Sequence, residues 1–385
     1  MKLRVPDYLK EFKCIASQCE DTCCAGWEIV IDEEAYKKYE RAQGGFGQRL
    51  RNEIVHRKDE KIFTLKGDNC AFLNENKMCD IYSNLGEDSL CYTCKMYPRH
   101  IEEFGNLREI GISLSCPEAA RLILRHNKKV EFEVIEIEED ITAYNDIDAL
   151  LFMNLLQCRR VIFHLLQNRN IKLEHRISIV LKFADEVQQR IDKENLMGIK
   201  PVMEKYLDKD FIKDFISELD EYKDRGVAKY HNMEQFFKVF KELKHINPND
   251  PLSLEEVLKY FWQSNSEEQF YLDKHKGFND YYEDNIYKFE NFLVYFIFRY
   301  FMKAVFDYDV TSKVNTAVVS YLMIKELFVF KCTQKGKVSE EDAVDIMHMY
   351  SKDIEHLEEN IETLSELYKT NPVFKLEELL TIIMN

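Results

Sequence analysis

Glycine is scarce in this chain, at 12 of 385 residues, roughly half the usual share of about 7%. With 45% hydrophobic and 32% charged residues, that scarcity leaves few tight turns and predicts long helices around a substantial core. A basic surplus is also missing. The net charge is −16, and sequence-independent nucleic-acid binding depends on Lys and Arg neutralising phosphates, so no nucleic acid is expected as a partner. The acidic balance suits a basic or lysine-bearing protein substrate, and a solubilising surface equally. There is no stretch of about 18 uncharged apolar residues. The best run, Phe292 to Phe298, stops at Arg299. The opening Met-Lys-Leu-Arg-Val-Pro-Asp lacks the apolar segment of a signal peptide. No membrane insertion is expected, and a cytoplasmic location is. No Gly-x-Gly-x-x-Gly follows a strand to open a helix, so a Rossmann-type nucleotide site is not expected. Gly44-Gly45-Phe46-Gly47 is the only glycine cluster and reads as a loop between helical segments.

What is present is cysteine, unevenly placed. Nine of the eleven precede residue 117: Cys14-x4-Cys19-x3-Cys23-Cys24, Cys70-x8-Cys79, Cys91-x2-Cys94 and Cys116. Thiols this dense form disulfides, hold a metal or cluster, or do redox chemistry. A reducing cytosol argues against structural disulfides. Cys91-x2-Cys94 has the chelate spacing of a metal knuckle. Adjacent side chains in extended backbone point to opposite sides, so Cys23 and Cys24 need a turn to serve one metal, or they serve different ions. Nine thiols exceed one four-ligand zinc site. They suit two zincs, one four-iron cluster with spare thiols, or two clusters. Ligand softness and number place iron–sulfur ahead of zinc, and both ahead of uncoordinated thiols. The Cys-x3-Cys-x2-Cys run of radical enzymes is absent, because Cys19-x3-Cys23 is followed at once by Cys24. Cys158 and Cys332 read as small core residues.

The fold expected is mainly α, with an irregular, cysteine-rich α+β domain over 1–140 and a larger all-helical domain over 145–385. Strands are predicted over Trp27–Asp32, Ile62–Leu65 and Leu107–Leu114. A hairpin is predicted from Cys70-Ala-Phe-Leu to Cys79-Asp-Ile-Tyr about the polar Asn74–Lys77 turn, bringing Cys70 and Cys79 together. The alternation of Val130, Phe132 and Val134 with Glu131 and Glu133, slipping at Val134-Ile135, predicts an edge strand with a bulge. From about residue 145 the period becomes helical: Ile147, Leu150, Leu151, Leu155, Cys158, Ile162 and Leu165 make one stripe. Helices are predicted over 173–195, 199–223, 232–245, 253–264, 284–307, 312–331, 339–368 and 375–384. Asp146 and Ser339 are the predicted N-caps, and Asn371-Pro372 predicts a break.

The run from Cys14 to Trp27, with Cys70-Ala-Phe-Leu, Cys79-Asp-Ile-Tyr, Cys91-Tyr-Thr-Cys-Lys-Met-Tyr-Pro-Arg and Leu114-Ser-Cys-Pro-Glu-Ala-Ala-Arg, resembles the flagellin lysine N-methylase family. The Cys-Cys, Cys-x-Phe-Leu and Cys-x-Ile-Tyr elements are also similar to small zinc- or iron-chelate-binding domains. Glu290-Asn291-Phe292-Leu293-Val294 through Phe301 resembles a helix in the C-terminal part of the methylase family. The resemblance implies methyl transfer from S-adenosylmethionine to lysine ε-amines of flagellin, with a [4Fe-4S] cluster (zinc as the alternative) on Cys14, Cys19, Cys23, Cys24, Cys70, Cys79, Cys91, Cys94 and Cys116. The competing expectation is a non-catalytic zinc- or cluster-binding interaction protein.

Methylation needs a neutral amine, and a lysine with a pKa of about 10.4 is mostly protonated at neutral pH, so a base or a desolvated pocket is required. Tyr82, Tyr92, Tyr97, Glu20, Asp21 and Asp80 lie near cysteines in sequence, and each reads first as structural. Arg99 reads as a surface ion pair that could instead bond cluster sulfur or a carboxylate. His100 reads as a non-ligand. Trp27 reads as a core residue of the small domain, and Phe292, Tyr295, Phe296, Arg299 and Tyr300 as a core stripe.

Overall fold

The computed structural model describes residues 1–57, 60–139, 147–246, 253–264 and 267–385. The N-cap expected at Asp146 and the domain joint expected near 140–145 lie outside them. The chain is mainly helical, with small sheets confined to its N-terminal part.

A four-stranded sheet runs Arg99–Phe104, Leu107–Ile112, Lys2–Pro6, Phe132–Glu136. The chain's first strand lies parallel to Leu107–Ile112 and antiparallel to Phe132–Glu136. The acidic strand is an edge, as expected. No bulge interrupts it: Pro6 to Lys2 pair in unbroken register with Phe132 to Glu136, and the apolar slip is absorbed by leaving Val134 and Ile135 exposed.

Two apolar cores form. The larger draws Phe104, Ile112, Leu114 and the Pro117–Arg125 helix together with the helical body from Leu151 to Ile383. The smaller gathers Ile29, Ile31, Tyr39, Leu50, Phe63, Phe72, Ile81 and Cys91. The strand expected over Trp27–Asp32 is a single bridge between Val30 and Ile62. Asp32 stops it by capping the Glu33–Arg41 helix, accepting from Ala35 N at 2.9 Å. The glycine cluster opens the Gly44–Asn52 helix instead of forming a loop. A Cβ on Gly47 would stand 2.1 Å from the Ala42 carbonyl oxygen, so only glycine lets the two segments close up there. The Asn74–Lys77 turn forms, with Asn74 Oδ1 accepting from Asn76 N and Met78 N. Its second arm is not a strand, because Cys79 precedes the Asp80–Leu85 helix.

In the helical body, Asp148 caps Ala149–Leu166, accepting from Leu151 N at 2.8 Å. Leu150, expected on the buried stripe, is exposed; Leu151, Leu155, Cys158, Ile162 and Leu165 are buried. This helix is long and apolar enough to cross a membrane by length and composition alone, although Arg159 and Arg160 keep it from being an uncharged run. Its Arg159 is buried on Glu109, and the helix packs into the core. The 199–223 segment divides at Asp208, and 339–368 divides at His356-Leu357. Glu268–Tyr282 is a helix that the periodicity did not reveal. Ser339 forms a full capping box with Asp342, the geometry in which each side chain bonds the other's backbone N–H. Cys158 is fully buried, and Cys332 packs against the core.

Candidate functional site

The thiols are held by short elements whose ends they occupy. Cys79, Cys91 and Cys116 each immediately precede a helix: Asp80–Leu85, Tyr92–Met96 and Pro117–Arg125. First-turn N–H groups point at the Cys79 and Cys116 sulfurs and favour their charged form. Burial outweighs that bias and holds both thiols up, Cys116 to about 12. Arg49 fixes the Cys79 corner by bonding Asp80 Oδ2 and the Ala71 carbonyl, both at 2.6 Å. Asp32 fixes the Cys91 corner by accepting from Tyr92 N at 2.6 Å. The Cys23-Cys24 turn is stitched to the strand before Cys70: Cys70 N donates to Cys24 O at 2.7 Å, and Gly26 N to Asp68 O at 2.8 Å.

These corners bring the nine thiols into two neighbourhoods. Cys14, Cys19, Cys23 and Cys116 bear on one another electrostatically. So do Cys24, Cys70, Cys79, Cys91 and Cys94. The adjacent pair stands at the join, one residue in each group. Cys23 and Cys24 are hydrogen-bonded through their side chains, as are Cys91 and Cys94. The bond from Cys23 brings the Cys24 thiol down to about 7 against the upward push of burial; Cys23 is driven up. Cys70 is pushed up to about 12 by burial.

Nine soft donors in two adjoining groups fit an iron–sulfur or zinc centre in kind and number. Their present convergence is pairwise: among the described residues no three His, Cys, Asp or Glu side chains stand together as a site that could hold a metal ion.

The thiol region faces the Glu340–Glu355 helix of the helical body. Lys352 Nζ bonds Asp21 Oδ2 at 2.6 Å. Gly26, at φ +84°, turns the chain so closely that a Cβ would meet Ile246 Cγ2 at 3.0 Å and Lys352 Cε at 3.4 Å. Trp27 donates to the Cys23 carbonyl at 2.9 Å. Its ring packs edge-on to His356 at 5.4 Å and tilted to Tyr97 at 5.8 Å. Ser115, one residue before Cys116, lies 2.6 Å from His356 Nε2 and 3.2 Å from the Tyr97 hydroxyl. Beneath these, Glu355 is completely buried and accepts from Tyr300 and Tyr295, both at 2.9 Å, and from Ser351.

The other sequence candidates disperse. Tyr82 and Tyr92 are exposed. Asp80 is structural, and Glu20 pairs with Arg121. Arg99 stacks 5.4 Å over Phe12 and enters no ion pair among the described residues. His100 lies against Tyr295 and Phe298, its ring nitrogens buried without hydrogen-bond partners. Tyr295, Phe296 and Tyr300 are core, as expected, and Arg299 is paired with Glu355. Sequence reasoning missed Glu355, His356, His348 and Lys352. Their only signal was helical spacing on one predicted helix.

The Glu290-Asn291 motif is a buried polar anchor. Glu290 pairs with Arg169 at 2.9 Å and Arg176 at 2.6 Å. Asn291 donates to Ile123 O at 2.9 Å, joining its helix to the one that follows Cys116.

This anchor and the surrounding helices lie within the stretch that matches the FliB lysine N-methylase C-terminal domain, residues 159–382. The chain belongs to the FliB lysine N-methylase family. It is 30% identical over 127 residues to the flagellar biosynthetic protein FliU of Salmonella muenchen, a match covering 31% of this chain and 75% of that protein. It is also 30% identical over 127 residues to the lysine-N-methylases of Salmonella typhimurium and Salmonella choleraesuis, covering 31% of this chain and 31% of each. The matched stretch thus spans under a third of those two methylases. No solved structure matches.

Proposed function

We propose that this chain is a protein-lysine N-methyltransferase that moves the methyl group of S-adenosylmethionine to lysine side chains of flagellin, in the cytoplasm. The observation that carries the reading is the family match over 159–382, supported by relatives named as lysine-N-methylases and as a flagellar biosynthetic protein. The amine lone pair attacks the sulfonium methyl. The carbon–sulfur bond breaks, its electrons stay on sulfur, and the new ammonium gives up a proton. The nine N-terminal thiols would hold an iron–sulfur centre, which when bound would supply a Lewis-acidic place for the donor's amino and carboxylate groups. The chain's own part is to orient and desolvate. The Trp27, Tyr97 and His356 rings form an apolar wall beside Cys23. The helix carrying Lys352 keeps Asp21 in place. Incubating the anaerobically purified protein with labelled S-adenosylmethionine and flagellin tests the reading. Label on flagellin lysines is expected; unlabelled flagellin from an iron-loaded preparation contradicts it.

A further inference from the structure

The strand Phe132–Glu136 is an edge of the four-stranded sheet. The pairs at its two ends fix the phase of its hydrogen bonds to Lys2–Pro6. Met1 N donates to Ile137 O at 3.1 Å and Ile137 N to Met1 O at 3.0 Å, and Asp7 N donates to Glu131 O at 2.8 Å. Bonded pairs recur at every second residue of an antiparallel ladder, so Glu133 and Ile135 also turn their backbone groups to the first strand. Phe132, Val134 and Glu136 turn theirs away from it, where no other strand among the described residues meets them.

This edge is held in place and open on both faces. The Phe132 ring stacks on Phe163 at 4.5 Å and on Phe298 at 4.8 Å. Val134 and Ile135 point to opposite faces and are 48% and 49% exposed. Ile135 shares its face with Leu3, opposite it, and with Val5; none of these three belongs to either core. An open edge flanked by apolar side chains is a template for another extended chain.

Charge selects the chain that fits. Glu131 to Glu139 holds five glutamates and no Lys or Arg. Lys10 pairs with Glu133 and Arg108 with Glu139. Lys2 stands opposite Glu136 in the register and forms no ion pair with it. Glu131, Glu136 and Glu138 are all exposed, and no Lys or Arg among the described residues is ion-paired with them. A second copy laid along this edge would set glutamates against glutamates, and like charges directly opposite are destabilising. An extended segment rich in lysine brings the opposite charge, and its backbone groups meet those of Phe132, Val134 and Glu136. The Glu131 end of the edge lies on Asp7, from which the chain reaches Cys14 seven residues on.

We propose that this edge takes an extended, lysine-bearing segment of the protein substrate as a fifth strand. The source of that segment rests on the methylase reading; the chemistry of the edge does not.

The test follows amide hydrogen exchange at Val134 and Glu136 in the full chain by NMR. The probe is a short peptide alternating lysine and valine, and the control carries glutamate in place of lysine. Both amides are expected to slow saturably with the lysine peptide alone. In Glu131→Gln/Glu136→Gln/Glu138→Gln the midpoint is expected to rise about tenfold, the scale of three exposed ion pairs. Val134→Pro removes an N–H that the sheet does not use, a change that edge strands accept. It is expected to abolish the response at Glu136 while the Leu107–Ile112 amides stay protected. Amides that ignore the lysine peptide, that slow equally with the glutamate peptide, that slow on raising the protein concentration alone, or that are already slow in the free chain overturn the proposal. Methyl transfer to flagellin judges the methylase reading separately. Transfer by Val134→Pro at an unchanged KM overturns the proposal alone; a peptide response without transfer by the unaltered chain upholds the edge and overturns the methylase reading.

Discussion

Arg299 Nε lies 2.9 Å from Glu355 Oε2, and that carboxylate is completely buried. The pair joins the Tyr287–Tyr300 helix to the end of the Glu340–Glu355 helix, under the loop that leads to Cys116. Tyr295 completes the link: its hydroxyl accepts from Leu114 N at 3.3 Å and donates to Glu355 at 2.9 Å. Removing one member of a buried pair leaves an uncompensated charge, at roughly 3–5 kcal/mol. Arg299→Leu is expected to lose stability of that order in urea unfolding, and Arg299→Leu/Glu355→Leu to recover much of it. Equal losses in the single and double variants would show that the pair is not the source.

Stability should fall as acid is added below neutrality. His275 is buried, with Nε2 3.0 Å from Glu326, Nδ1 3.3 Å from Lys229 Nζ, and its ring against Tyr271. Burial brings it down to about 4, with the Lys229 and Lys325 charges adding and Glu326 opposing. The folded state therefore binds its proton later than the unfolded chain, whose histidines titrate near 6.5. Full stability is present above about pH 6.5. Between that pH and about 4 the unfolded state holds the extra proton, and stability drops by on the order of 1 kcal/mol per pH unit. Burial holds Lys229 down to about 8, so its own linkage acts only above that pH. His275→Gln should flatten the acid limb of a plot of unfolding free energy against pH. A limb of unchanged slope would exclude His275 as its origin.

The seat of the Cys23-Cys24 turn depends on a residue without a side chain. Gly26→Ala forces a left-handed conformation on alanine, at about 1–2 kcal/mol, and drives a methyl towards Ile246 and Lys352. The variant is expected to lower stability and to change the Trp27 emission, read with Trp262→Phe as background. An unaltered Trp27 spectrum would contradict the close seating.

The nine N-terminal thiols and the two remote ones should separate by bound iron. Cys23→Ser, Cys24→Ser or Cys91→Ser is expected to lose most of the iron of an anaerobic preparation. Cys158→Ala, in the helical core, should keep its iron and lose only stability, since shrinking a core residue leaves a cavity. Iron retained by all three N-terminal variants would remove those residues from the ligand set.

The helices were legible where apolar residues recur on one face and a cap marks the start, as at Ser339 with Asp342. They were misread where the break is only one or two residues, as at Asp208 and at His356-Leu357, because periodicity runs through so short a kink. Short N-terminal helices escaped notice because three of them begin directly after a cysteine, whose spacing invites a metal reading rather than a capping one. The Cys23-Cys24 pair was read as needing a turn if both thiols serve one metal, and as serving different ions otherwise; the chain does turn there, with one thiol in each group. The opposing wall was not legible: Lys352, His348 and Glu355 are more than 200 residues away in sequence, and only tertiary packing brings them to Asp21 and Ser115.

The account rests on thiol-rich and helical halves acting together in methyl transfer, and one sample tests it. Bound iron and methyl groups transferred to flagellin should be measured on the same oxygen-protected preparation, for the unaltered chain and for Cys23→Ser. The account expects both quantities to be substantial in the first and both to fall together in the second. Full methyl transfer from a preparation without iron would contradict it.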